Sequence, residues 1–197
     1  MTNTKWISAT LLAGVAVACL AFLFATQAIA DHHEHKADAV NEAVVVIAPT
    51  KASGGNTSGV IVLKQEKGYV HVTGEVSGLK PGKHGFHIHL FGDLRAADAT
   101  SLGGHYNPHG EEHGAPGAGH KHHEGDLGNI EANADGIAKV DAKADHAELN
   151  HLLGRSLVIH ADADDLKSQP AGNAGPRIGV GVIGIAEVKA PAAPAKK

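Results

Sequence analysis

The amino-acid sequence predicts an all-β fold, a Greek-key β-sandwich or barrel of about eight antiparallel strands with two long functional loops. Three observations carry this prediction. Short β-branched runs recur between turns rich in Gly, Pro, Asn and Asp. No segment beyond the first thirty residues keeps a 3.6-residue apolar period over three turns. Residues 93–128 and 161–177 show no useful period, and structureless stretches of such length are usually functional or disordered.

The first thirty residues do not belong to this fold. Lys5 supplies a positive start, residues 7–24 are almost wholly apolar, and Ala28-Ile29-Ala30 forms an A-x-A cleavage site. This pattern predicts a signal peptide over residues 1–30, cleaved after Ala30, and export to the periplasm or the extracellular space. An uncleaved anchor and a lipoprotein attached through Cys19 are the alternatives. Apart from this leader, the sequence predicts no membrane contact.

The rest of the chain divides into a tail, a domain and a second tail. We expect a disordered tail bearing histidines over residues 31–42, a folded domain over residues 43–188 and a solvated Ala/Pro/Lys tail over residues 189–197. Hairpin turns are expected at Lys67-Gly68 and at Ala134-Asp135-Gly136. The expected strands lie near residues 44–47, 59–63, 69–72, 85–91, 129–130, 137–140, 156–159 and 178–183.

Charge and cysteine content exclude several kinds of partner and bond. The formal net charge is −4, and removal of the leader takes away one lysine and no acid. Nucleic acid and anionic membrane surfaces are therefore not expected partners. Cys19 is the only cysteine and lies in the leader, so the mature chain can form no disulfide. We expect stability to come from the core and from bound metal.

Histidine is the residue type that stands out, with 16 in the chain. His87 and His89 are two apart on an expected strand, so both imidazoles point to one face. An isolated pair of this kind is more often exposed than metal-bound. This pair is followed by further metal-ligating side chains, namely His105, His113, His123, Asp126 and His160. Imidazole suits copper and zinc, and a mixed set of imidazoles and a carboxylate suits zinc.

These motifs resemble those of the copper/zinc superoxide dismutases over roughly residues 43–188. The first matching segments, which read GFHIHLFGD and HYNP, are residues 85–93 and 105–108. The zinc-ligand segments are matched by His113-Gly114 and by residues 123–129, HEGDLGN. The later matches are residues 154–160, 172–177 and 181–186, which read GRSLVIH, GNAGPR and GVIGIA.

The resemblance implies a superoxide dismutase with superoxide as substrate and with one copper and one zinc ion per subunit. The implied copper ligands are His87, His89, His105 and His160. The implied zinc ligands are His105, His113, His123 and Asp126, so that His105 bridges the two metals. Asp164 would link a copper histidine to a zinc histidine, and Arg177 would act with His105 in catalysis by holding the anion beside copper. An exported metal carrier of the same fold with little turnover is the alternative function, and a homodimer is compatible with the family.

The chain departs from the family pattern at its disulfide. The two cysteine positions align with Ala99 and Val180, which puts the rigidity of Arg177 and the dimer interface in question. Other histidines lie outside the ligand positions. We expect His109, His120 and His122 to be solvated loop residues, with metal scavenging as the alternative, and we leave open whether His32, His33 and His35 gather copper. Structural or surface roles are expected for His71, His84, His146 and His151.

Overall fold

The structure, a computed structural model, describes residues 40–119 and 121–187. The predicted leader, nearly all of the histidine tail, His120 and the C-terminal tail lie outside the described residues, so what was predicted for them stays a prediction. Among the residues described, no helix is long and apolar enough to cross a membrane.

Nine antiparallel strands account for almost all regular structure in the described chain. They are β1 (Glu42–Pro49), β2 (Ser58–Glu66), β3 (Tyr69–Ser77), β4 (Gly82–His89), β5 (Asp126–Ala132), β6 (Ala138–Asp145), β7 (Ser156–His160), β8 (Arg177–Val182) and the two-residue β9 (Gly184–Ile185). A one-turn helix, α1 (Leu149–Leu152), and a 3₁₀ turn, Thr100–Leu102, complete the elements. The predicted all-β class is confirmed.

The first eight strands close into a barrel. Their order is β2-β3-β6-β5-β4-β7-β8-β1, and β1 pairs again with β2 to complete the circle. The chain passes over β6 and β5 between β3 and β4, and over β5 and β4 between β6 and β7, which is Greek-key connectivity. Closure leaves no free edge among these eight strands, and β9 pairs alongside β1.

The core follows the period-2 alternation of the strands. On β1, Ala43, Val45 and Ile47 are buried while Val46 faces outward. Matching residues of the other strands complete one main apolar cluster inside the barrel. A smaller apolar cluster lies apart from it and consists of Ala99, Leu102, Val158 and Val180. Both positions that align with the family's cysteines therefore lie in this second cluster.

The strand predicted to run to Phe91 ends at His89. The backbone N–H groups of Leu90 and Phe91 donate to the carbonyl oxygens of Gly104 and Leu102 at 2.9 and 3.0 Å, so they belong to the following loop rather than to the sheet. This loop, residues 90–125, joins β4 to β5. The second long loop, residues 161–176, joins β7 to β8, and it contacts the first loop through hydrogen bonds that Asp164 and Gln169 form with His113.

Candidate metal centre

The strands place the first three histidines around one point. His87 and His89 lie on β4, where every side chain from His84 onward is buried because β5 and β7 flank the strand. His160 ends the neighbouring strand β7. His105 joins them from the first loop, through a bridge between its backbone and that of His89.

The first group of four histidines offers four buried nitrogens that share one small volume. The ligand atoms of His87, His89, His105 and His160 lie within 4.8 Å of one another. His87 Nδ1 and the Nε2 atoms of His89, His105 and His160 have no hydrogen-bond partner among the residues that the structure describes. A buried polar atom without a partner is costly, so four such atoms in one place fit a metal ion with imidazole ligands.

The second nitrogen of each of these rings is held by the protein. His89 Nδ1 donates to the carbonyl oxygen of Gly103, and His160 Nδ1 to that of Gly175, each at 2.9 Å. His87 Nε2 lies 2.7 Å from Asp164 Oδ2, and His105 Nδ1 lies 2.7 Å from Asp126 Oδ1. These contacts orient the rings and leave the inward nitrogen of each as the lone-pair donor.

Burial keeps three of these imidazoles in the neutral form that metals bind. Burial, together with neighbouring His105 and Arg177, lowers the pKa of His89 to about 2. Burial also lowers the pKa of His160 to about 3, and that of His105 to about 4 although the Asp126 carboxylate opposes the shift. These three imidazoles are therefore uncharged and ready to coordinate at neutral pH.

A second group of ligands shares His105 with the first. Its members, His105, His113, His123 and Asp126, are all buried and their ligand atoms also lie within 4.8 Å of one another. Asp126 Oδ1 lies 2.7, 3.1 and 3.2 Å from the Nδ1 atoms of His105, His113 and His123. Although burial opposes its ionisation, the surrounding imidazoles hold the pKa of Asp126 well below its usual range. Three imidazoles and a carboxylate form a typical zinc site.

Asp164 connects the two groups from outside. Its two carboxylate oxygens lie 2.7 Å from His87 Nε2 and 3.0 Å from His113 Nε2. The side-chain amide of Asn129 brackets its backbone, accepting from the Asp164 N–H at 2.8 Å and donating to its carbonyl oxygen at 2.9 Å. Gly172 passes so close that a Cβ there would collide with the Asp164 carboxylate. Asp164 therefore orients one ligand of each group.

Arg177 lies beside the first group, directly opposite His160 in the β7–β8 register. Its guanidinium donates to the carbonyl oxygens of Ala99 and Gly103, the latter at 2.6 Å. The half-buried side chain lines a cavity of about 320 Å³ together with Asp98, Thr100 and Pro176. Arg177 is thus a partly buried cation that two backbone carbonyl oxygens hold beside the first group.

All nine site residues that the sequence singled out thus lie together, including Asp164 and Arg177. His122 does not fit the expectation of a solvated loop residue. It is buried, and its Nδ1 donates to the carbonyl oxygen of His123 at 2.7 Å, because the loop folds back over its own ligands. His109 is exposed as expected and contacts Glu124 at 2.9 Å.

Two residues that position ligands were not among the predicted site residues. His84 is buried and its ring nitrogens lie 2.8 Å from the carbonyl oxygens of His160 and Lys80, so it supports the backbone of His160. Gln169 contacts the backbone of His113. No motif distinguishes either residue, since each acts through a contact between segments distant in the chain.

Comparison with known proteins agrees with this geometry. Residues 57–183 match the family model for copper/zinc superoxide dismutase. The extracellular superoxide dismutase [Cu-Zn] of Brugia pahangi is 40% identical over 158 residues, which cover 74% of this chain and 78% of that protein. Among solved structures, the crystal structure of the clock protein EA4 superposes with a TM-score of 0.67 at 36% sequence identity, covering 74% of this chain and 95% of the other.

Proposed function

The chain belongs to the copper/zinc superoxide dismutase family, and from this premise we infer that it converts superoxide to dioxygen and hydrogen peroxide. Copper held by the four histidines of the first group would supply the redox chemistry, and zinc, which has no redox chemistry, would serve structure in the second group. The protein's own contribution is to orient the ligands, to exclude competing donors and to guide the anion.

We assign copper to His87, His89, His105 and His160. The observation that carries this assignment is the convergence of four buried nitrogens without hydrogen-bond partners among the described residues, each on a ring whose other nitrogen is already held. We assign zinc to the group that contains the Asp126 carboxylate. His105 belongs to both, because Nε2 faces the first group and Nδ1 the second.

Two residues would act on the substrate and its protons. His105 can hold a proton at Nε2 whenever that atom is not coordinated, while its Nδ1 stays in the zinc group, so it can deliver a proton at the reacting centre. Arg177 remains charged at any relevant pH and can hold an anion beside copper. Electrostatic guidance is expected to contribute, and this enzyme family is itself a standard example of such steering.

Metal analysis beside a dismutase assay tests the assignment. The purified mature protein should carry one copper and one zinc per subunit and dismutate superoxide. His160→Ala should lose copper and activity while zinc stays bound, because His160 belongs to the first group only. Near wild-type activity in this variant would show that the copper assignment is wrong. The alternative function as a metal carrier is not favoured, since all four copper-type ligands and Arg177 are in place.

We propose that the protein is exported and that its leader is cleaved after Ala30. The support is the leader pattern in residues 1–30 and the extracellular description of the Brugia pahangi relative. Mass spectrometry of the mature protein should find Asp31 at its N-terminus. An N-terminus at Cys19 carrying lipid, or an intact leader, would replace this proposal with one of the two alternatives.

We propose that two copies associate through the outer face of β1 and its neighbours. Val46 and Ile185 are each 66% exposed and Phe91 is 52% exposed, although these side chains are large and apolar. Val60, on β2, pairs with Val46 and extends the same apolar surface. Val46→Lys should produce a monomer in sedimentation experiments, whereas Ala134→Lys in the exposed β5–β6 turn should not. A wild-type protein that sediments as a monomer would contradict this proposal.

A further inference from the structure

Gln169, in the second loop, forms hydrogen bonds to both the backbone N–H and the backbone carbonyl oxygen of one residue of the first loop, His113. Its Oε1 accepts a hydrogen bond from the His113 N–H at 2.8 Å, and its Nε2 donates to the His113 carbonyl oxygen at 2.9 Å. The two residues are 56 positions apart in the chain. These two hydrogen bonds therefore connect the loop between β7 and β8 to the loop that carries the zinc-type ligands.

The backbone at His113 has little other support. Residues 107–119 contain no strand or helix, so no ladder holds this part of the first loop. The His113 ring, by contrast, must be placed accurately. Its Nδ1 lies 3.1 Å from Asp126 Oδ1 and its Nε2 lies 3.0 Å from Asp164 Oδ1. The next residue, Gly114, donates its N–H to Asp126 Oδ2 at 3.1 Å.

The family disulfide is absent from this chain, which has no cysteine beyond Cys19. The first loop is therefore held by noncovalent contacts alone. Asp164 contacts the His113 ring from the second loop, and Gln169 contacts the His113 backbone from the same loop. Two residues of the second loop thus orient one zinc-type ligand: Asp164 orients the His113 ring, and Gln169 orients the His113 backbone.

We propose that Gln169 is a positioning residue for the zinc centre. Its two hydrogen bonds fix the backbone of His113 and thereby the direction in which the His113 Nδ1 points. This inference rests on the proposed zinc assignment. Residues that orient a metal ligand from outside typically change metal affinity by about 10–100-fold when they are replaced. Copper should be affected less, because the second nitrogens of His89 and His160 bind the carbonyl oxygens of Gly103 and Gly175, which Gln169 does not touch.

The test replaces the amide and measures zinc directly. Gln169→Met keeps the side-chain length and removes both hydrogen bonds, whereas Gln169→Glu keeps an acceptor for the His113 N–H but loses the donor to its carbonyl oxygen. Zinc affinity is measured by competition with a chromophoric chelator on the full mature protein. The absorption spectrum of Co²⁺ bound in place of zinc reports ligand geometry independently of activity.

Gln65→Met is the matched control. Gln65, on β2 and outside both ligand groups, also joins separate backbone segments through its amide: it accepts from the Leu149 N–H at 2.7 Å and donates to the carbonyl oxygens of Glu66 and Tyr69 at 2.9 and 3.1 Å. This variant should lose stability but keep wild-type zinc affinity and an unchanged Co²⁺ spectrum.

We expect zinc affinity to fall about 10–100-fold in Gln169→Met and by a smaller factor in Gln169→Glu. If Gln169→Met does not fold, the zinc affinity of Gln169→Glu, compared with that of Gln65→Met, is sufficient to test the inference. Zinc affinity within twofold of wild type in the folded Gln169 variants, or an equal loss in Gln65→Met, would overturn the inference. A wild-type protein that binds no zinc would instead refute the zinc assignment on which the inference rests.

Discussion

The small apolar cluster near Arg177 stands where the family's disulfide would be, and removing its largest member should test what it does. Leu102 and Val158 are fully buried, and Ala99 and Val180 are nearly so. Ala99 and Leu102 belong to the first loop, while Val158 and Val180 belong to β7 and β8. The cluster therefore fastens the loop to the barrel by packing instead of by a covalent bond.

Replacing a buried leucine with alanine costs about 2–5 kcal/mol of unfolding free energy. Because this cluster is small and its loop can partly collapse, we expect Leu102→Ala to cost about 2–3 kcal/mol. The carbonyl oxygens on either side of Leu102, those of Ala99 and Gly103, accept hydrogen bonds from Arg177. If loosening the loop removes about 1 kcal/mol of transition-state stabilisation, kcat/KM falls about fivefold.

The assay combines denaturant unfolding with steady-state kinetics on metal-loaded protein. Leu63→Ala is the control, because Leu63 is fully buried in the main cluster, on β2 and outside both long loops. It should cost at least as much stability and leave kcat/KM unchanged. Wild-type kcat/KM and anion inhibition in a Leu102→Ala protein with full metal content would refute the reasoning.

Four further outcomes follow from the site. Arg177→Ala should keep both metals, lower kcat/KM and weaken inhibition by small anions, because the cavity beside the first ligand group loses its fixed cation; kinetics equal to wild type would contradict this role of Arg177. Asp98→Asn should raise kcat/KM about twofold at low salt and by less at physiological ionic strength, because Asp98 lines the same cavity and repels an anion; no salt-dependent gain would count against this. Without metals, burial holds the pKa values of His89, His105 and His160 at about 2, 4 and 3, against about 6.5 in the unfolded chain. At these three sites the unfolded state then binds more protons, so their contribution to stability should be full above about pH 6.5 and fall as the pH drops towards 4; an apo melting temperature independent of pH between about 6.5 and 4 would disagree. Copper and zinc together should raise the melting temperature in calorimetry, because the metals bind the native ligands far better than the unfolded ones, and equal melting temperatures for apo and loaded protein would show that folding is not coupled to metal.

The fold class could be predicted from sequence because each strand carries its own local pattern. The β-branched runs of β2 and β3, and the turn at Lys67-Gly68 between them, place a hairpin without any knowledge of the rest of the chain. The boundaries were less predictable. β4 ends at His89 because the backbone N–H groups of Leu90 and Phe91 donate hydrogen bonds within the first loop instead of to a neighbouring strand. The residue pattern of the strand itself does not reveal these partners.

The ligand set could also be read from sequence, because the metal chemistry needs particular side chains in recognisable motifs. His87 and His89 share a face by strand periodicity alone, and resemblance to the family supplied the others. The sequence could not tell that His122 would be buried among them. It lies beside His123 in a loop without periodicity, where burial depends on how the loop folds over the barrel.

The sequence by itself thus determined the strands, the turns, the absence of any disulfide in the mature chain and the kinds of metal ligand available. These are properties of residue type and of spacing along the chain. Only the tertiary structure decided that His122 is buried, that Arg177 donates to the carbonyl oxygens of Ala99 and Gly103, and that Gln169 hydrogen-bonds the backbone of His113. Each of these depends on contacts between segments far apart in sequence, brought together by barrel closure and by the packing of two irregular loops, and such contacts leave no period in the chain.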